Sequence, residues 1–290
     1  RTWIAQIAYY FPLNYLRNMA VFQELKRWFN LNDFSKVIDY GAGLGTSSWC
    51  FYNETQSQQI FQFERENRFK NFWQQNSFHW IAQQEDVFKK ITPSTLGIFS
   101  YSLTEIPKAM KLLEKFNHLV IIEPSLHDDG RRLMGLRDDL INRGFKILAP
   151  CVHQNSCPLL THSKKDWCHD RIHFNKPEWL KNIEKHLPIK NDTLTFSYLI
   201  ASKNPPIQSQ QSMQPNLARI TGDLLKEKGK SKQLICFNTE RIFLSWLHKT
   251  IIPQEIGRGN LVQLANGLTQ VSNELRISDD DSVKEIIPLV

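Results

Sequence analysis

A stretch of thirteen residues, VIDYGAGLGTSSW at 37–49, constrains the fold of this chain more than any other. The apolar pair Val37 and Ile38 leads into Asp39, and three glycines then follow at alternate positions: Gly41, Gly43 and Gly45. Glycine tolerates backbone angles that other residues avoid, and it lets a ligand approach the main chain closely. The stretch therefore predicts a buried strand, a tight glycine turn and a helix that begins at Thr46.

A second acid, Glu64, indicates an adenosyl ligand at this turn. It follows the apolar run IFQF of the next predicted strand, about 20 residues beyond the glycines. A carboxylate at that position commonly bonds the ribose hydroxyls of such a ligand. The two signals predict an S-adenosylmethionine (SAM) site. A nicotinamide dinucleotide site and a plain tight turn in an α/β sheet are the alternatives.

Strands and helices alternate from the glycine turn onward, which is the pattern of a doubly wound α/β sheet. The predicted strands are 37–40, 59–64, 79–82, 96–103, 119–123, 145–149 and 194–201, and the helices between them include 68–75 and 131–143. Ligands bind outside the carboxyl ends of such strands, which places Ser102 at the ligand crevice. Asp86 follows the third strand and lies either beside an adenine ring or in a solvated loop.

The chain divides into four predicted segments: an N-terminal helical segment (1–35), a Rossmann-like domain (36–202), a linker (203–218) and a small β-rich region (219–290). The helical spacing of Trp3, Ile7, Tyr10 and Leu13 predicts that this face of the first helix packs on the core. Two β-rich runs, LICF and RIFLSWL, predict a hairpin in the last segment. The tail beyond Asp279 is acidic and weakly patterned.

Composition sets the broad class of the protein. Hydrophobic residues make up 41 % and aromatic residues 11 % of the chain, which is enough for a packed core. Lysine and arginine (36) exceed aspartate and glutamate (29), and the net charge of +7 fits a nucleic-acid partner, although many basic enzymes bind none. No apolar run reaches the ~20 residues of a membrane span. We expect a protein that does not enter a membrane, and we expect it to be monomeric.

Five cysteines supply the second chemical signal: Cys50, Cys151, Cys157, Cys168 and Cys236. Three of them are crowded into 18 residues as C-x5-C-x10-C, which is untypical of a secreted disulfide framework. Thiolates bind zinc or iron–sulfur clusters, four ligands complete either site, and this spacing names neither. Buried free thiols are the alternative. We expect Cys50 to be a small core residue, and we expect His153 and His169 not to be ligands.

No catalytic set is evident, so the catalytic residues stay unassigned. The sequence has no G-x-S-x-G, no H-E-x-x-H and no phosphate-binding G-x4-G-K motif followed by Ser or Thr. Enzymes that methylate amino groups of nucleic acids carry N-P-P, followed by Tyr or Phe, after the fourth strand. This chain has Ser102-Leu103-Thr104-Glu105 there. A cysteine nucleophile for carbon methylation is not evident either.

The chain resembles the bacterial and mitochondrial methyltransferase-like proteins that are associated with the small ribosomal subunit. VIDYGAGLGTSSW resembles motif I of that family, and YSLTEIP and IIEPS resemble the ends of its fourth and fifth strands. APCVHQNSCPLL, DWCH and FSYLIASK are the most diagnostic part, and KGKSKQLIC resembles a later strand that carries a cysteine. The resemblance runs from about Ala20 to Lys249.

The resemblance implies a SAM-dependent methyltransferase fold. This is a Rossmann-like doubly wound sheet with N-terminal helices, a cysteine-rich metal-binding insertion at 150–170 and a small C-terminal β-rich appendage. It also implies a 4Fe–4S cluster, whose ligands carry over by position to Cys151, Cys157, Cys168 and Cys236. The implied partners are the rRNA and ribosomal proteins of the small subunit, in the cytoplasm of bacteria or in the mitochondrial matrix of eukaryotes.

Two functions are compatible with these expectations. The first is a SAM-dependent rRNA methyltransferase, in which the glycine turn, Glu64 and Asp86 hold SAM. In this hypothesis the basic run at 226–232 contacts phosphates, with a solvated loop as the alternative. The second is a non-catalytic assembly factor of the small subunit that binds SAM and the cluster.

Overall fold

The computed structural model describes residues 2–66, 78–188, 190–206, 216–277 and 279–287 of the chain. Helices come first, as predicted: α1 (Thr2–Ala5), a π-helical turn (Gln6–Tyr10), α2 (Phe11–Lys26) and a short 3₁₀ turn (Leu31–Asp33). In the part of the chain that the structure describes, no helix is both long and apolar enough to cross a membrane.

The face that the first helices bury differs from the predicted one. Leu13 is buried, as expected, but Tyr9 is buried in place of Tyr10, which is 55 % exposed, and Ile7 is 41 % exposed. A π-helical turn closes through i→i+5 hydrogen bonds, so it shifts the phase of the residues before α2 relative to those within it. The side chain of Trp3 lies outside the described part of the structure.

The central domain is built on one mixed sheet. Its strands are β1 (Lys36–Tyr40), β2 (Ile60–Phe63), β3 (His79–Ile81), β4 (Thr95–Ser100), β5 (His118–Glu123), β6 (Lys146–Ala149), β7 (Asp170–His173) and β8 (Thr193–Ser202). Their order is β3-β2-β1-β4-β5-β8-β6, with β7 paired to the first half of β8. Strands β1 to β5 run parallel, whereas β8 is antiparallel to both β5 and β6.

The helices of this domain connect the strands. They are α3 (Thr46–Thr55), α4 (Gln84–Lys90), α5 (Ala109–Leu113), α6 (His127–Asn142), α7 (Pro158–His162) and α8 (Glu178–Glu184). The predicted helix at 68–75 lies outside the described residues. The predicted helix at 131–143 corresponds to α6, which begins four residues earlier, at His127.

Two consecutive residues of β1 show that both faces of the sheet are covered. Val37 and Ile38 are fully buried, and they belong to two separate hydrophobic clusters. Helices α2 and α3 contribute Phe22 and Phe51 to the first cluster, and α6 contributes Leu133 to the second. Successive side chains of a strand point to opposite faces, so helices pack on both faces. This is the doubly wound, Rossmann-like arrangement that the sequence predicts.

A second sheet forms the C-terminal region. Its strands are β9 (Leu217–Ile220), β10 (Leu225–Glu227), β11 (Lys230–Phe237), β12 (Glu240–Leu247), β13 (Leu261–Leu264), β14 (Thr269–Val271), β15 (Glu274–Ile277) and β16 (Val283–Ile287). The order is β14-β15-β12-β11-β9-β13-β16, with β10 beside β11. The predicted hairpin is confirmed, because β11 and β12 pair in antiparallel fashion.

The edges of this region differ from the predicted ones. Strand β9 begins at Leu217, inside the predicted linker, of which 207–215 lies outside the described residues. The weakly patterned tail contains β16, which pairs with β13. A five-residue strand at a sheet edge is too short to produce a clear alternation in the sequence.

Arg219 on β9 joins the two sheets. Its guanidinium donates to Glu24 Oε1 in α2 (2.7 Å), to the carbonyl oxygen of Pro150 (2.9 Å) and to that of Gly259 (2.7 Å). Arg219 and Glu24 are each 4 % exposed. Burial alone would raise the pKa of Glu24, but the guanidinium groups of Arg219 and Arg27 hold it below its ordinary value. A buried ion pair therefore fastens the C-terminal sheet to the central domain.

Candidate functional site

A large cavity of about 960 Å³ lies at the carboxyl ends of β1, β2, β4 and β5, where ligands bind in open α/β sheets. Five of the seven predicted cofactor-binding residues line it: Asp39, Gly41, Gly43, Glu64 and Ser102. Other parts of the lining come from the N-terminal helices and from residues after β5. The volume is at the upper end of the ~300–1,000 Å³ that is typical of small-molecule sites.

The glycine turn brings bare backbone to this cavity. Gly41 and Gly43 have φ angles of +74° and +50°, which favour glycine. A Cβ atom on Gly41 would lie 2.4 Å from Ser102 Cβ, so there is no room for a side chain. Ser102 is held in this position because its hydroxyl donates to the carbonyl oxygen of Tyr40 (2.8 Å).

Glu64 lies against the same turn. Its Oε2 accepts the N–H of Gly43 at 2.9 Å, and its Oε1 accepts the N–H of Glu66 at 3.0 Å. These two bonds hold the carboxylate at the edge of the cavity beside β1 and β2. A carboxylate in that position is suited to bond ribose hydroxyls.

Asp39 supports the turn from below. It is 1 % exposed, and its Oδ2 accepts both the N–H (3.1 Å) and the hydroxyl (2.7 Å) of Ser48. Burial raises the pKa of Asp39 to about 6, although the two bonds from Ser48 act in the opposite direction. Asp39 thus ties the first turn of α3 to β1, and the glycine turn between them is held in place.

Two of the predicted residues lie elsewhere. Gly45 precedes α3 and is not among the described residues that line the cavity. Asp86 is likewise not among the described residues that line the cavity. It lies in the first turn of α4, where a negative charge interacts favourably with the helix dipole. Its Oδ1 lies 2.8 Å from Lys89 Nζ. The predicted strand at 79–82 agrees with β3, but helix α4, which begins at Gln84, was not predicted, and Gln84 lines the cavity instead of Asp86.

Sequence reasoning missed the lining residues of the N-terminal helices. Tyr10, Asn14 and Arg17 all line the cavity. The Arg17 guanidinium donates through Nε to the carbonyl oxygen of Thr195 (3.2 Å) and through Nη1 to Asn14 Oδ1 (2.8 Å). Tyr101, at the end of β4, lines the cavity with a φ of +57°, which is unusual for a bulky residue. No motif marks these positions, and the π-helical turn that exposes Tyr10 has no sequence signal.

Four of the five cysteines line a second, small cavity of about 50 Å³: Cys151, Cys157, Cys168 and Cys236. The first three follow β6, and the last lies on β11, so this thiol cavity lies between the two sheets. Arg137 of α6 donates through Nε to Cys151 Sγ (3.1 Å) and through Nη2 to the carbonyl oxygen of His153 (2.7 Å). His153 Nε2 lies 3.7 Å from Cys236 Sγ. Cys50 belongs to the core, as predicted.

The thiols influence one another. Burial raises the pKa of Cys168, and the nearby charges of Asp170 and of the other thiols add to this effect. Burial together with Cys151 and Cys157 raises the pKa of Cys236 to about 12. Within the described residues, however, no three His, Cys, Asp or Glu side chains are arranged to hold a metal ion. The fold brings the four predicted ligands to one cavity without showing a metal site.

Trp167 connects the two cavities. Its indole N–H donates to the carbonyl oxygen of Ser125 at 2.7 Å, and Ser125 lines the large cavity. The neighbouring Cys168 lines the thiol cavity, and its carbonyl oxygen accepts a hydrogen bond from the Ser197 hydroxyl (2.8 Å). His169 stacks on the Trp167 ring with 5.3 Å between the centroids. One short segment is therefore attached to both cavities.

The basic run at 226–232 is partly neutralised by the fold. Lys230 Nζ lies 2.6 Å from a carboxylate oxygen of Glu274, and Lys232 Nζ lies 2.5 Å from one of Glu227. The other two lysines of the run, at 226 and 228, are exposed. Half of the lysines predicted to contact phosphates are thus already paired with carboxylates.

One family model matches most of the chain. It is the model described as "Mitochondrial small ribosomal subunit Rsm22", and the match extends over residues 2–250. A comparison with curated proteins found no match.

Solved structures of three methyltransferases show weaker likenesses to this chain. The methyltransferase domain of bacterial CtHen1-C is 11 % identical, with 66 % of this chain and 98 % of that chain covered and a TM-score of 0.40. The precorrin-6y C5,15-methyltransferase of Geobacter metallireducens GS-15 is 12 % identical, with 60 % and 84 % covered and a TM-score of 0.39. TYW2 of M. jannaschii, in complex with AdoMet, is 10 % identical, with 64 % and 77 % covered and a TM-score of 0.32.

Proposed function

This chain belongs to the Rsm22 family of the mitochondrial small ribosomal subunit, and from that premise we propose that it is a SAM-binding, methyltransferase-like protein that acts on the small ribosomal subunit or its rRNA. The observation that carries the proposal is the hydrogen bond from the Gly43 N–H to the Glu64 carboxylate at the edge of the large cavity. It joins the ends of β1 and β2, where the two signals of an adenosyl site are expected. The place of action is the mitochondrial matrix in a eukaryote and the cytoplasm in a bacterium.

The residues of the large cavity fit SAM. When bound, SAM supplies a methyl group on a positively charged sulfur atom. The glycine turn at Gly41 and Gly43 would hold the methionine part against bare backbone, and Glu64 would accept hydrogen bonds from the ribose hydroxyls. Gln84, which lines the cavity, would take the place considered for Asp86 beside the adenine edge. The contribution of the protein is to hold the acceptor atom in line with the methyl group, and the catalytic residues stay unassigned.

Calorimetric titration with SAM tests the cofactor assignment. Glu64→Ala removes a charged acceptor whose hydrogen bonds are worth ~1.5–3 kcal/mol each, so we expect the affinity to fall at least about 10-fold. Glu85→Ala is the matched control, because Glu85 is an exposed acid of α4 that lies away from the cavity lining. Equal SAM affinity in these two variants would remove the ribose assignment.

Methyl mapping of small-subunit rRNA, from cells with and without the gene, separates an enzyme from an assembly factor. For an enzyme we expect one methylated nucleotide that disappears on deletion and returns with the wild-type gene but not with Gly43→Asp. A non-catalytic assembly factor would leave methylation unchanged and deplete mature small subunits. The missing catalytic motifs favour the second function. Asp39 also favours it, because this buried acid of the cavity already accepts two hydrogen bonds from Ser48 and holds the glycine turn in place.

We also propose that the thiol cavity holds a 4Fe–4S cluster, with zinc as the alternative. Either group takes four ligands, and four thiols line this cavity: Cys151, Cys157, Cys168 and Cys236. The cluster is preferred to zinc because the resemblance in the cysteine motif implies it. Arg137 would offset part of the thiolate charge.

The absorption spectrum of anaerobically purified protein distinguishes the two metals. A brown protein with a broad visible band contains an iron–sulfur cluster, whereas a colourless protein with bound metal contains zinc. We expect Cys157→Ser to lose the metal and Cys50→Ser to retain it, because Cys50 lies in the core of the central domain. Metal-free wild-type protein would contradict both assignments.

A further inference from the structure

The large cavity extends well beyond the residues assigned to SAM. Arg17 lines it and is bonded to Thr195 on β8 (3.2 Å), and the strand order from the glycine turn to that strand is β1-β4-β5-β8. Neighbouring strands lie about 4.8 Å apart, so β8 is about 14 Å from β1. A cofactor held by Gly41 and Glu64 therefore leaves the Arg17 end of the cavity open to a second ligand.

The charge at this end differs from that at the glycine turn. Asp39 and Glu64 place acidic groups beside the turn, whereas Arg17 places a cation near β8. Arg17 donates only to neutral oxygen atoms, those of Thr195 and Asn14, and no carboxylate of the described residues forms an ion pair with it. A guanidinium that lines a cavity without an acidic partner is suited to bind an anion such as a phosphate.

Tyr101, which lines the cavity and packs against the core of the central domain, is an aromatic residue near this cation. Burial raises the pKa of Tyr101 to about 12, and the charge of Arg17 acts in the opposite direction, which places the two side chains near each other. The backbone of Tyr101 is held at a φ of +57°, a conformation that persists in bulky residues where the surrounding structure imposes it, commonly at functional sites. Proteins bind unpaired nucleotides with this combination of a cation for the phosphate and an aromatic ring for the base.

We propose that the Arg17 end of the large cavity is the acceptor subsite, which takes one unstacked nucleotide of RNA with its phosphate on Arg17 and its base against Tyr101. This inference rests on the proposed function and adds substrate-binding residues to it. The separation of Arg17 from the glycine turn assigns its anion to the acceptor rather than to the carboxylate of SAM.

Binding measurements on the full chain test this subsite. The probes are S-adenosylhomocysteine, followed by calorimetry, and fluorescein-labelled RNA octamers of adenosine, cytidine, uridine and abasic ribose, followed by anisotropy. We expect Arg17→Gln to weaken binding of every octamer, including the abasic one, about 10-fold and to leave S-adenosylhomocysteine affinity unchanged. Arg143→Ala is the matched control, because it removes a positive charge that is paired with Glu114 outside the cavity.

Tyr101 is tested with two variants. Asparagine tolerates a positive φ, so Tyr101→Asn keeps the backbone conformation while it removes the ring. We expect it to weaken binding of the base-containing octamers about 10-fold and to leave the abasic octamer unaffected. Tyr101→Phe keeps the ring and should bind all the octamers as the wild type does.

Three results decide against one proposal or the other. Weaker S-adenosylhomocysteine binding by Arg17→Gln with unchanged RNA binding would assign the guanidinium to the cofactor carboxylate and overturn the subsite. RNA affinities that are equal in the wild type, Arg17→Gln and Tyr101→Asn would also overturn it and direct attention to a protein acceptor. A wild type that fails to bind S-adenosylhomocysteine but shows the expected RNA pattern would refute the SAM assignment alone.

Discussion

The two cavities of this molecule are built in opposite ways. The large cavity is organised around one short stretch, in which Asp39, Gly41 and Gly43 are almost adjacent, and Glu64 directly follows the neighbouring strand. The thiol cavity combines three cysteines of the central domain with Cys236 of the C-terminal sheet. The first depends on local backbone geometry, and the second depends on the docking of two sheets. Substitutions that act on only one of these causes should therefore separate the two sites.

The largest effect is expected from Arg219→Ala, which acts on the docking. It leaves the buried carboxylate of Glu24, in helix α2, without its partner in the C-terminal sheet. Breaking a buried ion pair costs about 3–5 kcal/mol. We expect the free energy of unfolding to fall by this amount, with loss of any metal bound by the thiols and with SAM affinity retained. Chemical denaturation, metal analysis and calorimetry measure the three quantities. Arg276→Ala, on the exposed side of β15, is the control, and an equal effect of the two variants would contradict the docking role.

The glycine turn supplies the opposite test. Gly41→Ala and Gly43→Ala both place a side chain at a positive φ, at a cost of about 1–2 kcal/mol, but a Cβ atom at Gly41 also meets Ser102, whereas at Gly43 it meets nothing within 4 Å. Overpacking adds about 1–3 kcal/mol, so we expect Gly41→Ala to lose about 2–5 kcal/mol of stability together with SAM binding. Gly43→Ala should lose about 1 kcal/mol and keep most of the SAM affinity. Thermal denaturation and calorimetry would count against this account if the two variants behaved alike, and neither change should alter the metal content.

The same difference explains what the sequence could predict. Gly41 and Glu64 were found because local rules, a turn that needs glycine and a strand that ends in an acid, place both at the cavity. The adenine position considered for Asp86 does not hold because a short helix begins at Gln84, and no sequence signal marked that helix. Arg17 was missed because a π-helical turn sets which face of the N-terminal helices meets the cavity.

The cysteines illustrate the other limit of prediction. Three of them are close in sequence, but Cys236 could be added to the set only through a family resemblance. Its position depends on the contact between Arg219 and Glu24, and no local pattern encodes a hydrogen bond between residues so far apart in the chain. The metal itself could not be chosen from spacing, because the spacing fits neither a zinc finger nor a common ferredoxin motif.

A buried acid allows the central domain to be probed without disturbing the docking. Glu123 ends β5 and is 3 % exposed; its Oε1 accepts the Leu103 N–H (3.1 Å), and its Oε2 has no hydrogen-bond partner in the described structure. Burial raises its pKa from 4.5 to about 7, although the Leu103 bond acts in the opposite direction. An acid whose pKa is raised by folding stabilises the folded state least when it is ionised, so its contribution is lost as the pH rises from about 4.5 to about 7.

Glu123→Gln removes this dependence. We expect the variant to be more stable than the wild type at pH 8 by about 3 kcal/mol and to match it near pH 4.5. Chemical denaturation at both pH values measures the difference, and Glu85→Gln, an exposed acid of α4, is the control. A stability gain of equal size at the two pH values would show that folding does not raise the pKa of Glu123.

The smallest effect, and the sharpest test of independence, is expected at Trp167, because its segment is attached to both cavities. Trp167→Phe keeps an aromatic ring but removes the indole N–H that donates to Ser125, and a hydrogen bond of this kind contributes about 1 kcal/mol to stability. We expect that loss in the free energy of unfolding, with Trp179→Phe, a half-exposed ring in α8, as the control. SAM affinity and metal content should both stay at wild-type values, because Glu64 holds the glycine turn and Arg219 holds the docked sheet without this bond. A simultaneous fall in both would show instead that the local site and the docked site share one support, and that the segment around Trp167 transmits changes between them.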